Sequence, residues 1–399
     1  MRRPTTIDRR CPLFPRRLPA ALVVATCTLA ACGRAPAADA AAADPAARPA
    51  RILAVTVTVG YRHSSIGTAE AVLEELGRSS GLFHVDFLRM PPGRLPQPRP
   101  PRRGQSTGDA EWRAQQEAYR QAEERFRKDD AGWQEALTEA FARAFSAESL
   151  AGFDGVMFVN TTGDLPVPDL AAFLDWVKSG KSFVGIHGAT GTFKSSDDFS
   201  DFIGGIFAGH PWTADAEHAF VVHESSHRLT AMFPPRFRWQ DEIYQYDGRF
   251  KPENVRVLLS LDMPASNPRE PWHVPVSWVR DYGQGRLFYT SLGHNDATWR
   301  DERFQKHLLE GIAWSLGRFD APAEANPAVQ AAEYLRSVVA AAASATGRDV
   351  DELVARAEAR IARDADWAVG LRPMLLEIRG MGPEERAAAY AKVLTAIGR

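Results

Sequence analysis

The 399 residues are 45% hydrophobic and 25% charged, with a formal net charge of -2. This is the composition of a folded globular chain and excludes disorder along its length. The near balance of charge also excludes the basic excess that nucleic-acid binding requires.

Arg2, Arg3, Arg9, Arg10, Arg16 and Arg17 precede an apolar run at 20–31, too short to span a bilayer and of the form of an export signal. The run ends Leu29-Ala30-Ala31-Cys32-Gly33, which resembles a bacterial lipobox. Cys32 is therefore expected to carry the lipid and begin the mature chain. A soluble secreted protein cut at an Ala-x-Ala-like site is the alternative. Residues 1–31 then form the signal peptide, and Cys11 and Cys27 leave with it. The folded part keeps neither a disulfide nor a thiol nucleophile. The expected place is the cell envelope, lipid-anchored through Cys32 at the membrane and facing the periplasm. Residues 32–50, alanine-rich with interspersed proline, read as a flexible tether.

An almost unbroken β-branched and apolar segment at 52–59 predicts a strand buried on both faces of a parallel sheet. Gly60-Tyr61-Arg62-His63-Ser64-Ser65 turns it into a helix whose buried face is Ile66, Ala69, Val72, Leu73 and Leu76, and 83–88 supplies the next strand. That is a βαβ unit. Residues 91–104 hold six prolines and four arginines, which stop sheet and helix alike. They lead into a predicted helix over 109–146, and 91–148 reads as an insertion. Trp112, Tyr119, Phe126 and Trp133, seven residues apart, form one stripe on such a helix, expected to pack on the domain, with a lid or partner surface as the alternative.

Strands follow at 155–160 and 182–186, separated by a helix that buries Leu170, Phe173, Leu174 and Val177 and ends at Gly180. Alternating segments near 219–222, 255–261, 274–279 and 287–291 predict strands that extend the sheet, partly antiparallel. Phe304, Leu308, Ile312 and Ser315 mark an amphipathic helix that closes an α/β domain over 51–318. Residues 322–399 predict two to four packed helices, with starts at Asn326-Pro327 and at Asp349 with Glu352, of structural or docking use.

Ligands of open parallel sheets bind outside the carboxyl ends of the strands. His63, Asn160, His187 and His294 follow strands directly. Gly185-Ile186-His187-Gly188-Ala189 has the small-x-nucleophile-small form of a strand-to-helix elbow with a histidine in the nucleophile's place. Asn160-Thr161-Thr162-Gly163-Asp164 offers small polar groups for a hydroxylated ligand or is a plain turn. His210 sits in a glycine-rich bend that can bring it inward. Of the adjacent Asp241 and Glu242, only one can face a site, because neighbours in extended chain point oppositely. Such a carboxylate beside imidazoles is a general base or an oxygen ligand for a divalent metal. A metal would need ligands far apart in the chain, because no short-range metal signature occurs. His218, His223 and His227 are expected in a solvated loop.

Together, Tyr61-Arg62-His63-Ser64-Ser65-Ile66, Phe158 to Asp164, Phe183 to Thr190, Gly209-His210-Pro211, Asp241-Glu242-Ile243-Tyr244 and Gly285 to His294 resemble the ThuA-like, or trehalose-utilisation, family over about 51–317. Relatives of that family include the class I glutamine amidotransferases. The resemblance implies a three-layer α/β fold with a mostly parallel sheet of flavodoxin-like, class I glutamine amidotransferase-like type, here carrying a helical insertion and a C-terminal helical extension. The amidotransferase elbow bears a cysteine where this chain has His187, so thiolate amidotransfer is excluded. Gly180-Lys181-Ser182 stands where the family tends to a glycine run, and the insertion is longer than usual, which implies a remodelled substrate mouth.

The resemblance further implies work on trehalose-like disaccharides or their 3-keto derivatives, by isomerisation or glycosidic cleavage. A ketone acidifies the neighbouring C–H bonds, so a base and a carbonyl-polarising group suffice. The expected base is His187 or Glu242. His63, His294 or a bound metal would stabilise the enediolate, with His210 in reserve. Asn160, Thr161, Asp164, Asp241, Tyr244 and Trp212 are expected at the substrate, and a metal would take His63, His187, His294 and Glu242. The rival readings are a non-catalytic sugar-binding lipoprotein that stacks sugars on Trp212 and Trp239, and a module that docks a partner oxidoreductase through the aromatic stripe and the C-terminal helices.

Overall fold

A computed structural model describes residues 48–398 except Gln97 and Gln105. The expected export signal, Cys32 and nearly all of the tether lie outside the described residues. In chain order the elements are β1 (Ala50–Val55), α1 (Ile66–Ser80), β2 (Phe83–Leu88), α2 (Asp109–Asp129), α3 (Ala131–Ala144), α4 (Ala147–Ala151), β3 (Gly155–Val159), α5 (Leu170–Lys178), β4 (Ser182–Ile186), α6 (Asp197–Ile203), β5 (Phe207–Trp212) and β6 (Glu217–Val222). There follow β7 (Arg236–Gln240), β8 (Ile243–Tyr246), β9 (Arg256–Leu261), β10 (Pro275–Tyr282), β11 (Gly285–Thr290), α7 (Asp296–Arg300), α8 (Glu302–Ser315), α9 (Pro327–Ala345), α10 (Val350–Arg363), α11 (Ala365–Ile378) and α12 (Pro383–Ile397).

Nine strands form one sheet in the order β2-β1-β3-β4-β11-β10-β9-β6-β7. The first five pair in parallel, and their order follows the doubly wound flavodoxin-like pattern. The rest extend it antiparallel, as the alternating segments predict. Every residue of β3 and β4 is buried, because helices cover both faces. Ile52, Ala54, Met157, Val159, Val184 and Ile186 pack beneath α1 and α8. Their strand neighbours Leu53, Val55, Val156, Phe158 and Phe183 pack beneath α3, α5 and α6. The two-residue period of a strand thus feeds two cores from one sheet.

The insertion differs from the expected single helix. It breaks at the buried Asp130, and the aromatic stripe divides there. Trp133 joins the core with Leu137 and Phe141, whereas α2 buries no residue fully and leaves Trp112, Tyr119 and Phe126 half-buried. Charged residues occupy most of the rest of α2, which leaves too narrow an apolar stripe to bury. The arginine-rich segment before α2 has a positioning role. Arg94 donates to the carbonyls of Thr58 and Val59 and stacks over Trp133, which pins the chain between β1 and His63.

The C-terminal residues form four helices, with α10, α11 and α12 packed around the buried α9. Arg336, 4% exposed, joins Asp262, Glu333 and Glu358 in ion pairs. Asn326 both donates to and accepts from the backbone of Val257. These bonds dock the helices on the antiparallel end of the sheet.

Candidate functional site

Four loops leave the carboxyl ends of parallel strands on the same side of the sheet, and each delivers one buried or half-buried side chain. His63 follows β1, Asn160 follows β3, His187 follows β4 and His294 follows β11. The order of strands reverses between β1 and β3, where such sheets open a crevice.

The elbow after β4 holds His187 at φ 46, a left-handed conformation that costs a histidine roughly 1–3 kcal/mol. A Cβ on Gly188 would lie 2.9 Å from the Asn160 carbonyl carbon, and one on Gly185 would lie 2.9 Å from the Tyr289 ring. Only glycine lets β3 and β11 close around the histidine. The Tyr289 hydroxyl donates to the His187 carbonyl and secures the turn.

Hydrogen bonds set the tautomers. His187 Nδ1 lies 2.7 Å from the Ser291 carbonyl, which can only accept, so Nδ1 carries the proton. Its Nε2 is buried without a hydrogen-bond partner, 3.5 Å from Glu242 Oε2. His294 Nδ1 lies 3.1 Å from Asn295 Oδ1, whose amide nitrogen donates to the carbonyls of Ala214 and Gln240. His294 Nε2 is thereby left bare, 3.9 Å from Glu242 Oε2. Imidazoles that ligate metals are commonly oriented this way by a bond on the other nitrogen.

His63 stands edge-on to both rings, 4.7 Å from His187 and 5.3 Å from His294 between centroids. Its Nδ1 is buried without a partner, and Tyr244 Oη lies 3.4 Å from Nε2. Burial, followed by the neighbouring imidazoles, pushes its pKa down to about 2 and keeps it neutral. Burial raises the Glu242 carboxyl, but the neighbouring imidazoles, His187 first and then His294 and His210, outweigh it and hold it below its ordinary value. One ligand atom each from His63, His187, Glu242 and His294 lies within 4.8 Å of the others. This buried His/Glu group could hold a metal ion, and no other such group of three or more is found among the described residues.

Asp241 and Glu242 point opposite ways, as the extended chain requires. Glu242 enters the cluster. Asp241, expected at the substrate, is fully buried and accepts the backbone N–H groups of Gly293 and Asn295 at 2.7 and 2.9 Å. It shapes the loop that carries His294. The ribbon of β5 and β8, missed in the sequence because Gly209 and Pro211 interrupt its alternation, brings His210 Nδ1 to 3.1 Å from Glu242 Oε1.

Above the cluster is a cavity of about 520 Å³, whose wall includes Tyr61, Thr162, Lys194, Phe207, His210 and Tyr244. Tyr244 was expected there. Tyr61 is 69% exposed, and an exposed aromatic beside a strand end is the signal that would have singled it out. Nothing local in the sequence marks Lys194 or Phe207.

Other expected substrate residues lie elsewhere. Asn160, at φ 52, is fully buried and donates to Ser65 Oγ and the Gly293 carbonyl, tying three loops together. Thr161 is buried against Thr192. Asp164 is exposed and outside the cavity wall. Trp212 and Trp239 are core residues whose indoles donate to the Pro268 carbonyl and to Thr298 Oγ1, so neither can stack on a ligand. The solvated loop expected for His218, His223 and His227 does not form. β6 lies inside the sheet, and the three rings bond separately to the Thr213 carbonyl, Ser260 Oγ and the Pro322 carbonyl.

The chain matches the family model described as ThuA, trehalose utilisation, over residues 106–315. β1 and His63 lie ahead of that stretch. A comparison with curated proteins found no match. Among solved structures the chain is similar to a ThuA-like protein from Bacteroides uniformis at 19% identity, covering 69% of this chain and 94% of that one with a TM-score of 0.46. It is likewise similar to a ThuA-like protein from Parabacteroides merdae at 18% identity, with the same coverages and a TM-score of 0.45. The family model takes in the elbow, the β5 and β8 ribbon and the loop of His294, and spans more than half of the chain; this protein belongs to the ThuA trehalose-utilisation family.

Proposed function

We propose that this protein is a carbohydrate-processing enzyme that acts on trehalose-like disaccharides or their 3-keto derivatives by acid–base chemistry assisted by a divalent metal. The reading includes attachment to the envelope membrane through a lipidated Cys32. Its main support is the convergence of His63, His187, Glu242 and His294 within 4.8 Å at the floor of the cavity.

The residues fit a metal. Three imidazoles and one carboxylate suit a first-row divalent ion, and two of the imidazoles leave buried nitrogens without hydrogen bonds, a costly state unless something coordinates them. Such an ion, when bound, supplies a Lewis acid that polarises a carbonyl.

With those four residues engaged, His210 is the proton carrier left in the cavity. Its Nδ1 lies 3.1 Å from Glu242 Oε1, which leaves Nε2 as the second nitrogen of a half-exposed ring. A ketone at sugar carbon 3 acidifies the adjacent C–H bond, which His210 can break. Lys194, on the cavity wall, opposes the negative charge that then develops. Tyr61 gives the sugar ring an apolar face to rest on.

The test is elemental analysis of the purified protein, combined with assays on trehalose and 3-keto-trehalose before and after chelation. The expected result is a stoichiometric divalent ion, absent from His187→Ala, and turnover that chelation removes and the ion restores. Full turnover by metal-free protein would refute the metal's role. Recovery of every sugar unaltered would refute catalysis in favour of simple sugar binding.

A further inference from the structure

We propose a second ligand site, between β8 and helices α9 and α11, that takes a small hydroxylated carboxylate of the sugar-acid class. A cavity of about 250 Å³ lies there, and its wall includes Phe250, Gln330, Tyr334, Arg372, Leu376 and Arg379. It is separate from the His/Glu cluster and does not rest on that site's function.

Two buried polar groups in this wall have no partner. Gln330, 2% exposed, donates through Nε2 to the carbonyls of Pro252 and Val255 and to Asn326 Oδ1. Reversing the amide would set oxygen against oxygen, so its orientation is settled and Oε1 is left without a donor. Tyr334, 9% exposed and one helical turn further along α9, has a buried hydroxyl with no bond. The two groups are neighbours on one helix face, and unmatched buried groups of this kind are costly.

The wall is also positively charged. Arg379 donates to the Tyr246 carbonyl, rests on the Trp272 ring and makes no close ion pair among the described residues, with Asp247 and Glu270 the carboxylates that feel its charge. Arg372 meets only the exposed Glu253, at 3.3 Å. Asp247, the acid at the rim, is bound to Arg249 at 2.7 Å.

A carboxylate would accept from the Tyr334 hydroxyl and the guanidiniums, and a hydroxyl on the same molecule would donate to Gln330 Oε1. A neutral sugar leaves the charge unanswered, a plain fatty acid leaves Gln330 unanswered, and water answers only the two uncharged groups. Phe250 and Leu376 suit a short carbon skeleton.

Titration calorimetry on the full chain with gluconate and lactate, against glucose and butyrate as controls, tests the site. A hydroxy acid should bind measurably, and the controls at least tenfold more weakly. Tyr334→Phe should weaken binding about tenfold, the worth of one hydrogen bond to a charged group, and Arg379→Met should abolish it. If Arg379→Met does not fold, Arg379→Lys should still weaken binding severalfold. His187→Ala should leave the affinity unchanged, which separates this site from the metal-binding cluster. No binding of either hydroxy acid, equal binding of the controls, or an unchanged affinity in Tyr334→Phe would overturn the proposal.

Discussion

Two groups of buried histidines lie on one sheet and behave differently. In the antiparallel half each ring is matched. His307 bonds to the Leu229 carbonyl and to Ser277 Oγ, and His223 and His273 share Ser260 Oγ. At the carboxyl ends of the parallel strands, His63, His187 and His294 converge with the Glu242 carboxylate within 4.8 Å, and His63 and His187 each keep an unmatched buried nitrogen. Burial is common to both groups, so burial alone does not mark function. The distinguishing feature is a set of lone pairs that second bonds hold open toward one point.

The comparison predicts different consequences for the same truncation. His187→Ala should abolish the proposed metal binding and lower the proposed turnover on the order of 10²–10³-fold, as loss of a preorganised electrostatic stabiliser does, with a larger effect on activity than on folding. His307→Ala should do the reverse. It empties a filled core site and strands the Leu229 carbonyl, at about 2–5 kcal/mol by denaturant unfolding, with metal content unchanged. If His187→Ala unfolds the protein and His307→Ala removes the metal, the distinction collapses.

An intermediate effect is expected from Asp241→Asn, which touches no cavity but holds the loop of His294. Metal affinity, measured by competition with a chelator, should fall about 10–100-fold. An unchanged affinity would show that the loop needs no such brace.

Acid should probe the matched group in a graded way. Burial pushes the His307 pKa down to about 4, below the value near 6.5 of an unfolded histidine. Between these two values the unfolded chain takes the proton first. The contribution of His307 to stability is therefore complete above pH 6.5 and is lost as pH falls toward 4, by about 3 kcal/mol. Urea midpoints from pH 7 to 4 should show this loss together with that of the other buried neutral imidazoles, and His307→Gln should make it smaller by the His307 share. A wild-type profile already flat over that range would contradict the assignment.

Much of the architecture was legible in the chain. The β-branched runs that became β1, β3 and β4 carry the signature of strands covered on both faces. Gly185 and Gly188 flank a histidine that needed room, and the structure shows what they make room for. His63, His187 and His294 could be placed at strand ends because each directly follows an apolar run. The divided aromatic stripe, the ribbon of β5 and β8 and the burial of Trp212 and Trp239 were not legible, because none of them is a local property.

What the amino-acid sequence determined by itself is therefore the period of each element and the residue at its end, since both follow from which side chains neighbours three or four positions apart can bury. What only the tertiary structure decided is which ends meet. β11 lies beside β4 although about a hundred residues separate them, and that pairing alone brings His294 to His187. The β5 and β8 ribbon then turns Glu242 toward the two histidines and Asp241 away. Register between distant strands is set by the packing of whole faces, and a single stretch of sequence does not contain that information.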